Sequence, residues 1–547
     1  MARRFFPAAV AGIVAWLPCA LPSACAQPTP SAVELAGQKI DVQRVLVKEF
    51  KVEGNTLLPQ ADIEAALAAF KGERSIEELR EAAMTVQSLY ASAGYGAVVA
   101  YLPEQSLSGD LVNIAVIEGR VVNVIVSGNK QFSEANVRAS LPALATGATP
   151  NLKEMDAQIQ IANENPAKEV QVLLEPGKKP GEAEAHVTLT ERPVQTVSVN
   201  LDNTGNERTG KLRASAGWQH ANIGGRDHVL SAQVLTSPEH PESVRVLSTA
   251  YRVPLYEQRL VLDAYAAYSD VDGGTSATVA GDLQFTGKGR LFGLRASRYL
   301  SRLGEVDQRV SVGIDHRDYI NTCDISGLPS GACGPAGESV AVQPLWVEYT
   351  AQKTVPYPMG VTISLHHNLQ LGGGHSDDDR FEAVRAGSKP HYTLVRVGAS
   401  AVVPLGETWQ AQARINAQLT DDALVPSEQF GIGGASSVRG YEERELAGDR
   451  GVSASVEVIG PNVAKPVGLT KGELRMLAFA DAGTVHNRLG TPCENARDVC
   501  TIGSMGLGTR LSAGQFGARL YVAKALKTSP QTDRGDVRAH VAMSYTF

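Results

Sequence analysis

From Pro193 to the terminal Phe547 the chain alternates apolar and polar residues in one segment after another, and only extended strands turn a two-residue period into two chemically different faces. In Trp409–Leu419 the apolar Trp409, Ala411, Ala413, Ile415, Ala417 and Leu419 interleave with Gln410, Gln412, Arg414, Asn416 and Gln418. Val361, Ile363, Leu365, Leu369 and Leu371 interleave with Thr362, Ser364, Asn368 and Gln370 in the same way. The last segment sets Val537, Val541, Met543, Tyr545 and Phe547 against Arg538, His540, Ser544 and Thr546. A soluble sandwich would turn its apolar faces to a shared core, and its other faces would rarely be so uniformly polar over so many strands. A lipid-facing outside around a wet lumen accounts for the pattern.

Eleven such strands precede a long segment, 420–450, and five follow it, which predicts a transmembrane antiparallel β-barrel of about 16 strands over residues 193–547. The number is even, as a single-chain bacterial barrel requires. Short links such as Pro254-Leu255-Tyr256 and Pro404-Leu405-Gly406 read as turns at one end, with longer segments at the other. No stretch approaches the roughly 18 uninterrupted apolar residues of a membrane helix, whereas a barrel strand needs only about 9–11 alternating ones. The 53 Gly, 15 Tyr and nearly balanced hydropathy fit a wall with one apolar and one polar face.

Residues 1–26 read as an export signal: Arg3 and Arg4, an apolar run from Ala8 to Leu17, then Ala24-Cys25-Ala26 as the cleavage site. Lipid attachment at Cys25 fits badly, because Pro22 stands three residues before it. The mature chain then has 49 basic and 58 acidic residues, a net charge of −9, which argues against a nucleic-acid partner. Its four cysteines form two close pairs, Cys323–Cys333 and Cys493–Cys500, expected as local disulfides in outer loops of an exported protein. Neither pair has a metal-like set of neighbours, and no metal or cofactor is expected.

Between these parts lie two copies of one pattern. The first, residues 45–119, runs strand (ending at Gly54-Asn55), short helix after Pro59, second helix, then two strands. Ser75 and Glu78 form a capping box before the second helix, whose stripe is Ile76, Leu79, Ala83, Val86 and Tyr90. The second copy, residues 120–192, repeats the order, with Gly128-Asn129 as the counterpart of Gly54-Asn55. Residues 27–44 form a short extension ahead of them. Barrel and α+β units are expected to bury separate cores.

Several separated motifs stand in this frame. Asn163-Glu164-Asn165-Pro166, with Pro176-Gly177 and Pro180-Gly181, closes the second copy; Asp202-Asn203-Thr204-Gly205 and Thr209-Gly210 open the barrel. Val438-Arg439-Gly440-Tyr441 lies in the long loop, Phe479-Ala480-Asp481-Ala482-Gly483 on a barrel strand, and Tyr545-Thr546-Phe547 at the end. Together, in this order, they resemble the two-partner secretion transporters (the hemolysin secretion/activation proteins). The resemblance spans nearly the whole mature chain and implies two periplasmic POTRA domains ahead of an outer-membrane barrel of a Gram-negative bacterium. It implies that the loop folds inward, and that the POTRA pair captures the N-terminal secretion domain of an unfolded partner exoprotein, adhesin- or hemolysin-like, for export without ATP. Outer-membrane lipid surrounds such a barrel, and Tyr545 and Phe547 resemble the end signal read by the barrel assembly machinery. Family members often carry an N-terminal plug helix; with only Gln27–Arg44 available and two prolines near its start, the plug is expected to be absent or reduced. An assembly factor of the same superfamily and a diffusion porin remain alternatives.

Strand parity adds a reading independent of the family. On Glu473–Gly483, Leu474, Met476, Ala478 and Ala480 suit lipid, which turns Phe479, Asp481 and Gly483 to the lumen. A lumen carboxylate needs a cation, and an inward loop carrying Arg439 would supply one, with Gly440 permitting close approach. Other signals are decoys. Gly205 to Lys211 has phosphate-loop spacing, but Leu212 stands where Ser or Thr is needed and a strand follows. His366 and His367 point to opposite faces of one strand, and Asp377-Asp378-Asp379 reads as a solvated loop, not a calcium site. No serine elbow or zinc-protease helix is present, so no enzymatic activity is expected.

Overall fold

The computed structural model describes residues 44–547 apart from 107–109, 208, 271–274, 279–280, 285–287, 322–333, 470 and 489–497. The export signal, the extension ahead of Arg44, and Cys323, Cys333 and Cys493 lie outside the described residues.

In the first α/β unit the strand Leu111–Glu118 is central, parallel to Glu49–Glu53 and antiparallel to Val98–Tyr101. Helices Gln60–Leu67 and Ile76–Ala93 pack on this sheet. The second helix starts where the Ser75 hydroxyl accepts from Glu78 N–H and the Glu78 carboxylate accepts from Ser75 N–H, and it stops at the left-handed Gly94. Leu79, Ala83, Val86 and Tyr90 are buried against Val112, Ile114 and Val116.

The second unit repeats the topology: Glu182–Glu191 is central, parallel to Arg120–Ser127 and antiparallel to Lys168–Pro176, with helices Glu134–Ser140 and Leu152–Asn163. The paired Gly-Asn turns explain why the sequence repeats there. Gly54 and Gly128 have φ of +90° and +80°, and a Cβ on either would stand 2.2 or 2.1 Å from a carbonyl oxygen of the central strand, Val116 or Leu189. A glutamate ending the central strand then holds each turn. Glu118 accepts from Thr56 N–H (2.8 Å), Leu57 N–H (3.1 Å) and the Tyr90 hydroxyl (3.0 Å). Glu191 accepts from the N–H groups of Lys130 (2.8 Å), Gln131 (2.8 Å) and Phe132 (3.1 Å). Burial alone would raise these two carboxyls, but the hydrogen bonds outweigh it and hold both below the ordinary glutamate range.

The rest of the chain is a closed antiparallel barrel of 16 strands, if Val340–Val342 and Pro344–Lys353, both paired with Asp307–Ile320, are taken as one strand interrupted at Gln343. Alternation sorts the faces: Val199, Leu201, Phe292, Leu294, Ile415 and Leu507 are exposed outside, whereas Asp263, Asp315, Glu457, Asp481 and His540 are buried inside. Pro254, Leu255, Pro404 and Leu405 still pair across their hairpins, so these turns are tighter than the sequence suggests. The ring closes where the first strand, Gln195–Asp202, meets the last, Val537–Thr546, over five register pairs, against eight between the first and second strands. Asn203 reinforces this seam, donating to Ala539 O (2.8 Å) and accepting from Val541 N–H (2.8 Å).

The expectation of separate cores fails at one junction. Val121, Phe132, Val137, Ile161 and Val170 of the second unit belong to the same buried cluster as Ala221, Tyr256, Val261 and Tyr299 of the barrel. Periodicity marks which residues are buried within an element, but not which neighbouring body covers them.

Candidate functional site

Between the strands Trp409–Thr420 and Arg450–Asn462 the chain turns back into the barrel. Phe430–Ile432 and Leu446–Gly448 pair as a small hairpin there, and the segment between them carries the tip. Two carboxylates hold the neck. Asp449 takes Arg385 in a two-pronged contact and accepts from Leu424 N–H (2.9 Å) and Arg488 N–H (2.7 Å). Glu428 receives Arg317 (3.0 Å) and the Tyr319 hydroxyl (3.2 Å) from the strand Asp307–Ile320. The loop therefore reaches from that strand to the last one across the lumen.

At the tip, Arg439 meets the wall. Its Nε and one Nη donate to the two oxygens of Asp481, both at 2.7 Å, and its backbone N–H adds a third contact at 3.1 Å. The other Nη donates to Glu457 (2.8 Å), and Ser455 accepts at 3.0 Å. The side chains of Arg439 and Asp481 are 3% and 0% exposed. The guanidinium lies 3.5 Å from the Phe479 ring centroid and 4.8 Å from that of Tyr521, and the two rings meet edge to face. The fork thus has every donor group engaged and an aromatic face beneath it, the arrangement that suits arginine and not lysine.

The flanking motif residues serve this seat. Gly440, at φ +91°, lies so close to the strand Phe516–Ala525 that a Cβ would stand 3.1 Å from that of Ala523. Its N–H donates to Nε2 of His540 on the last strand (2.9 Å). The Tyr441 hydroxyl donates to Gly503 O or Lys527 O, both 2.9 Å away. Val438 packs in a buried cluster with Ile432, Leu446, Val485 and Ile502, and a Cβ on Gly483 would stand 3.0 Å from the Val438 side chain.

The structure thus brings Val438, Arg439, Gly440 and Tyr441 together with Phe479, Asp481 and Gly483. Tyr545 and Phe547 are apart from this site, exposed at the end of the last strand, with Phe547 N–H donating to Val197 O (2.7 Å). Cys500 is in a disulfide. Sequence reasoning missed Glu457, Ser455 and His540 as site members; all three have the inward parity that singled out Asp481, so the signal was present. Asp377 caps a short helix, Asp378–Val384, whose Phe381 is buried; the acidic triplet is a helix start and not an open loop. His366 is buried and His367 exposed, as opposite faces require. Among the described residues no three His, Cys, Asp or Glu side chains are grouped to hold a metal.

A closed barrel with an α/β unit ahead of it and a loop clasped in its lumen narrows the family. The profile of the haemolysin secretion/activation proteins ShlB/FhaC/HecB matches residues 181–511. The chain belongs to this family. The ShlB-type POTRA domain matches residues 45–119. The outer membrane transporter CdiB of Dickeya dadantii (strain 3937) is 24% identical over 451 residues, 81% of this chain and 76% of that protein. The heme/hemopexin transporter protein HuxB of Haemophilus influenzae is 22% identical over 472 residues, 83% and 78% of the two chains. The solved structure of CdiB from Escherichia coli shares the fold with a TM-score of 0.75 at 20% identity, covering 95% of this chain and 93% of that one. CdiB from Acinetobacter baumannii gives 0.68 at 19% identity, covering 95% of both. The protein is an outer-membrane β-barrel of the two-partner secretion transporters, and its family is one of transporters and not of enzymes.

Proposed function

We propose that this transporter captures one unfolded partner exoprotein in the periplasm through both α/β units, read as a POTRA pair, and passes it outward through the barrel. The observation that carries the reading is an open sheet edge beside an apolar groove. In the second unit Arg120–Ser127 pairs with another strand on one side only; on its outer side Val121 is already bonded to Gly147 N–H (2.7 Å) and Ala148 O (2.9 Å), so the edge is open beyond Val121. Next to its outer edge lies a groove of about 300 Å³ lined by Val124, Val126, Val137, Leu141, Leu144 and Val187. An extended segment of the exoprotein's N-terminal secretion domain adds there as a further strand, its main chain supplying hydrogen bonds and its side chains filling the groove. It displaces the Arg138 guanidinium, which occupies Val124 O at 2.6 Å.

The clasped loop is the internal gate, and folding of the cargo at the cell surface draws the chain outward without ATP. Tyr545 and Phe547 act earlier, as the signal read by the barrel assembly machinery. Cys493 pairs with Cys500 and Cys323 with Cys333, each bond closing a short segment; Cys500 itself stands at the start of the strand Val499–Ala513 and not in a loop. The test is a photoreactive residue at Val126 in cells that export the partner exoprotein. Crosslinking to the exoprotein's secretion domain is expected; normal export without any crosslink at Val126 would refute this docking site.

A further inference from the structure

The junction between the second α/β unit and the barrel carries an ion pair that neither body explains alone. Lys168, at the start of Lys168–Pro176, is 2.6 Å from Asp227, in the barrel turn after Arg213–Ile223, and their side chains are 0% and 1% exposed. The Tyr256 hydroxyl, from the next turn on the same rim, donates to the same Asp227 oxygen at 2.7 Å. Phe132 places its ring face 5.1 Å from the ammonium. Burial depresses the Lys168 pKa even with Asp227 beside it.

Asp227 is an expensive choice for a turn. Its φ of +62° is one that Asn or Gly takes more readily, and its second carboxylate oxygen is buried with no hydrogen-bond partner among the described residues. A residue that keeps both strain and an unsatisfied oxygen is held there by what its charge does.

Around this pair the Asn163-Glu164-Asn165-Pro166 motif finds its use. Glu164 forks between Arg252 and Arg309, each at 2.8 Å, on two separate barrel strands. Asn165 donates to Ala221 O at 2.7 Å. Contacts to several strands at once resist rotation as well as separation. A partial swing of the unit would leave Lys168 or Asp227 buried and unpaired, so intermediate angles are disfavoured relative to the closed joint.

We propose that Lys168 and Asp227 lock the second α/β unit to the barrel in one orientation, as positioning residues that present the Arg120–Ser127 edge to the pore from a fixed place. The positioning role rests on the secretion reading above; the lock itself does not.

The experiment uses the full chain with spin labels at Lys178→Cys and Glu407→Cys, one on the unit and one on a barrel turn, beside an export assay with the partner. The unaltered pair should give one narrow distance. Lys168→Met should broaden it and lower export by on the order of tenfold or more, because it leaves Asp227 buried without its cation, while heat-modifiable migration of the barrel stays normal. Asp227→Asn, which suits the left-handed turn, gives the same test from the other side if Lys168→Met fails to assemble. Lys168→Met with Asp227→Asn removes both charges and keeps the shape, so it should restore a narrow distance and most of the export. A broad distance in the unaltered protein, or a narrow one in both single variants, or no recovery in the double variant, refutes the lock. Broadening with export unchanged refutes the positioning role. A protein that exports no partner at all refutes the secretion reading, and the distances still decide the lock.

Discussion

Arg439 and Lys168 each end on a buried aspartate, yet the two contacts are built differently. Arg439 spreads its fork over both oxygens of Asp481, over Glu457 and over Ser455, with Phe479 beneath it. Lys168 meets a single oxygen of Asp227, which it shares with Tyr256. The first contact joins a loop tip to the wall of one body, where geometry must be kept exact to hold a short segment in place. The second joins two bodies whose apolar surfaces already meet in one cluster, where a point charge suffices to select one docked state. A clasp needs directionality, whereas a lock needs only that its separated states be costly.

The largest expected effect comes from breaking the clasp. Arg439→Ala should destabilise the loop seat by about 3–5 kcal/mol, since it leaves Asp481 buried without its cation, and Asp481→Ala by less, since Arg439 keeps Glu457 at 2.8 Å; where water reaches the seat both figures are smaller. Export should fall while membrane insertion persists. A double-mutant cycle on barrel melting and export rate checks this, and additive effects would mean that the two residues do not act together. Arg439→Lys should keep part of the function, because an ammonium replaces the charge but not the fork.

Next comes the backbone that seats the fork. Gly440→Ala puts a side chain at φ +91° and pushes a Cβ toward Ala523, a change of about 1–3 kcal/mol. His540→Ala removes the acceptor of the Gly440 N–H and should be milder, about 1 kcal/mol, because water can enter and accept in its place. Melting of the two variants ranks them; a Gly440→Ala protein with unaltered melting and export would show that the tip is not tightly seated. If the lock and clasp are independent, neither variant should alter the distance between the α/β unit and the barrel.

How much of this was legible beforehand follows from what periodicity encodes. A two-residue period assigns each side chain to one face of the wall, so the strand series and the inward direction of Asp481 followed from residues alone. Parity also covered Glu457 and His540, but pairing them with the loop required knowing where its tip stops. Position 439 came from the family motif and not from any period, because a loop has none. The joint was illegible for a different reason: Lys168 and Asp227 are 59 positions apart, in a strand and a turn of different bodies. Nothing local marks either residue as buried, and each is of a type usually found in water.

A smaller effect should separate the two α/β units from the barrel contacts. Glu118 and Glu191 are held below the ordinary glutamate range by hydrogen bonds to the charged form. Each therefore contributes stability that is fully present above the unfolded glutamate value and is lost as pH falls through its lower folded value. Amide exchange at Thr56 and Leu57, and at Gln131 and Phe132, should rise over that acidic window. Glu118→Gln should remove most of the pH dependence in the first turn and leave the second unchanged. Equal loss in both turns would mean that the two units are coupled more closely than two capped repeats.

The smallest effect is expected at the surface. The proposed Cys493–Cys500 bond closes a short loop, and Asn487 and Arg488 just before it touch the neck of the inward segment, through Gln429 (3.0 Å) and Asp449 (2.7 Å). A short-loop disulfide acts mainly on the freedom of that loop and adds little to a barrel already closed by strand pairing. Reduction should therefore loosen the neck while the tip stays clasped, since Arg439 is bound to Ser455, Glu457 and Asp481 on strands that the bond does not constrain directly. Intact mass after alkylation, with and without reductant, establishes the pairing, and melting with each treatment gives the consequence. Free thiols in membrane-isolated protein would remove the bond at Cys493. A large drop in melting on reduction would instead show that the clasp depends on its neck, and the contrast between a self-sufficient fork and a joint that needs its surrounding core would no longer hold.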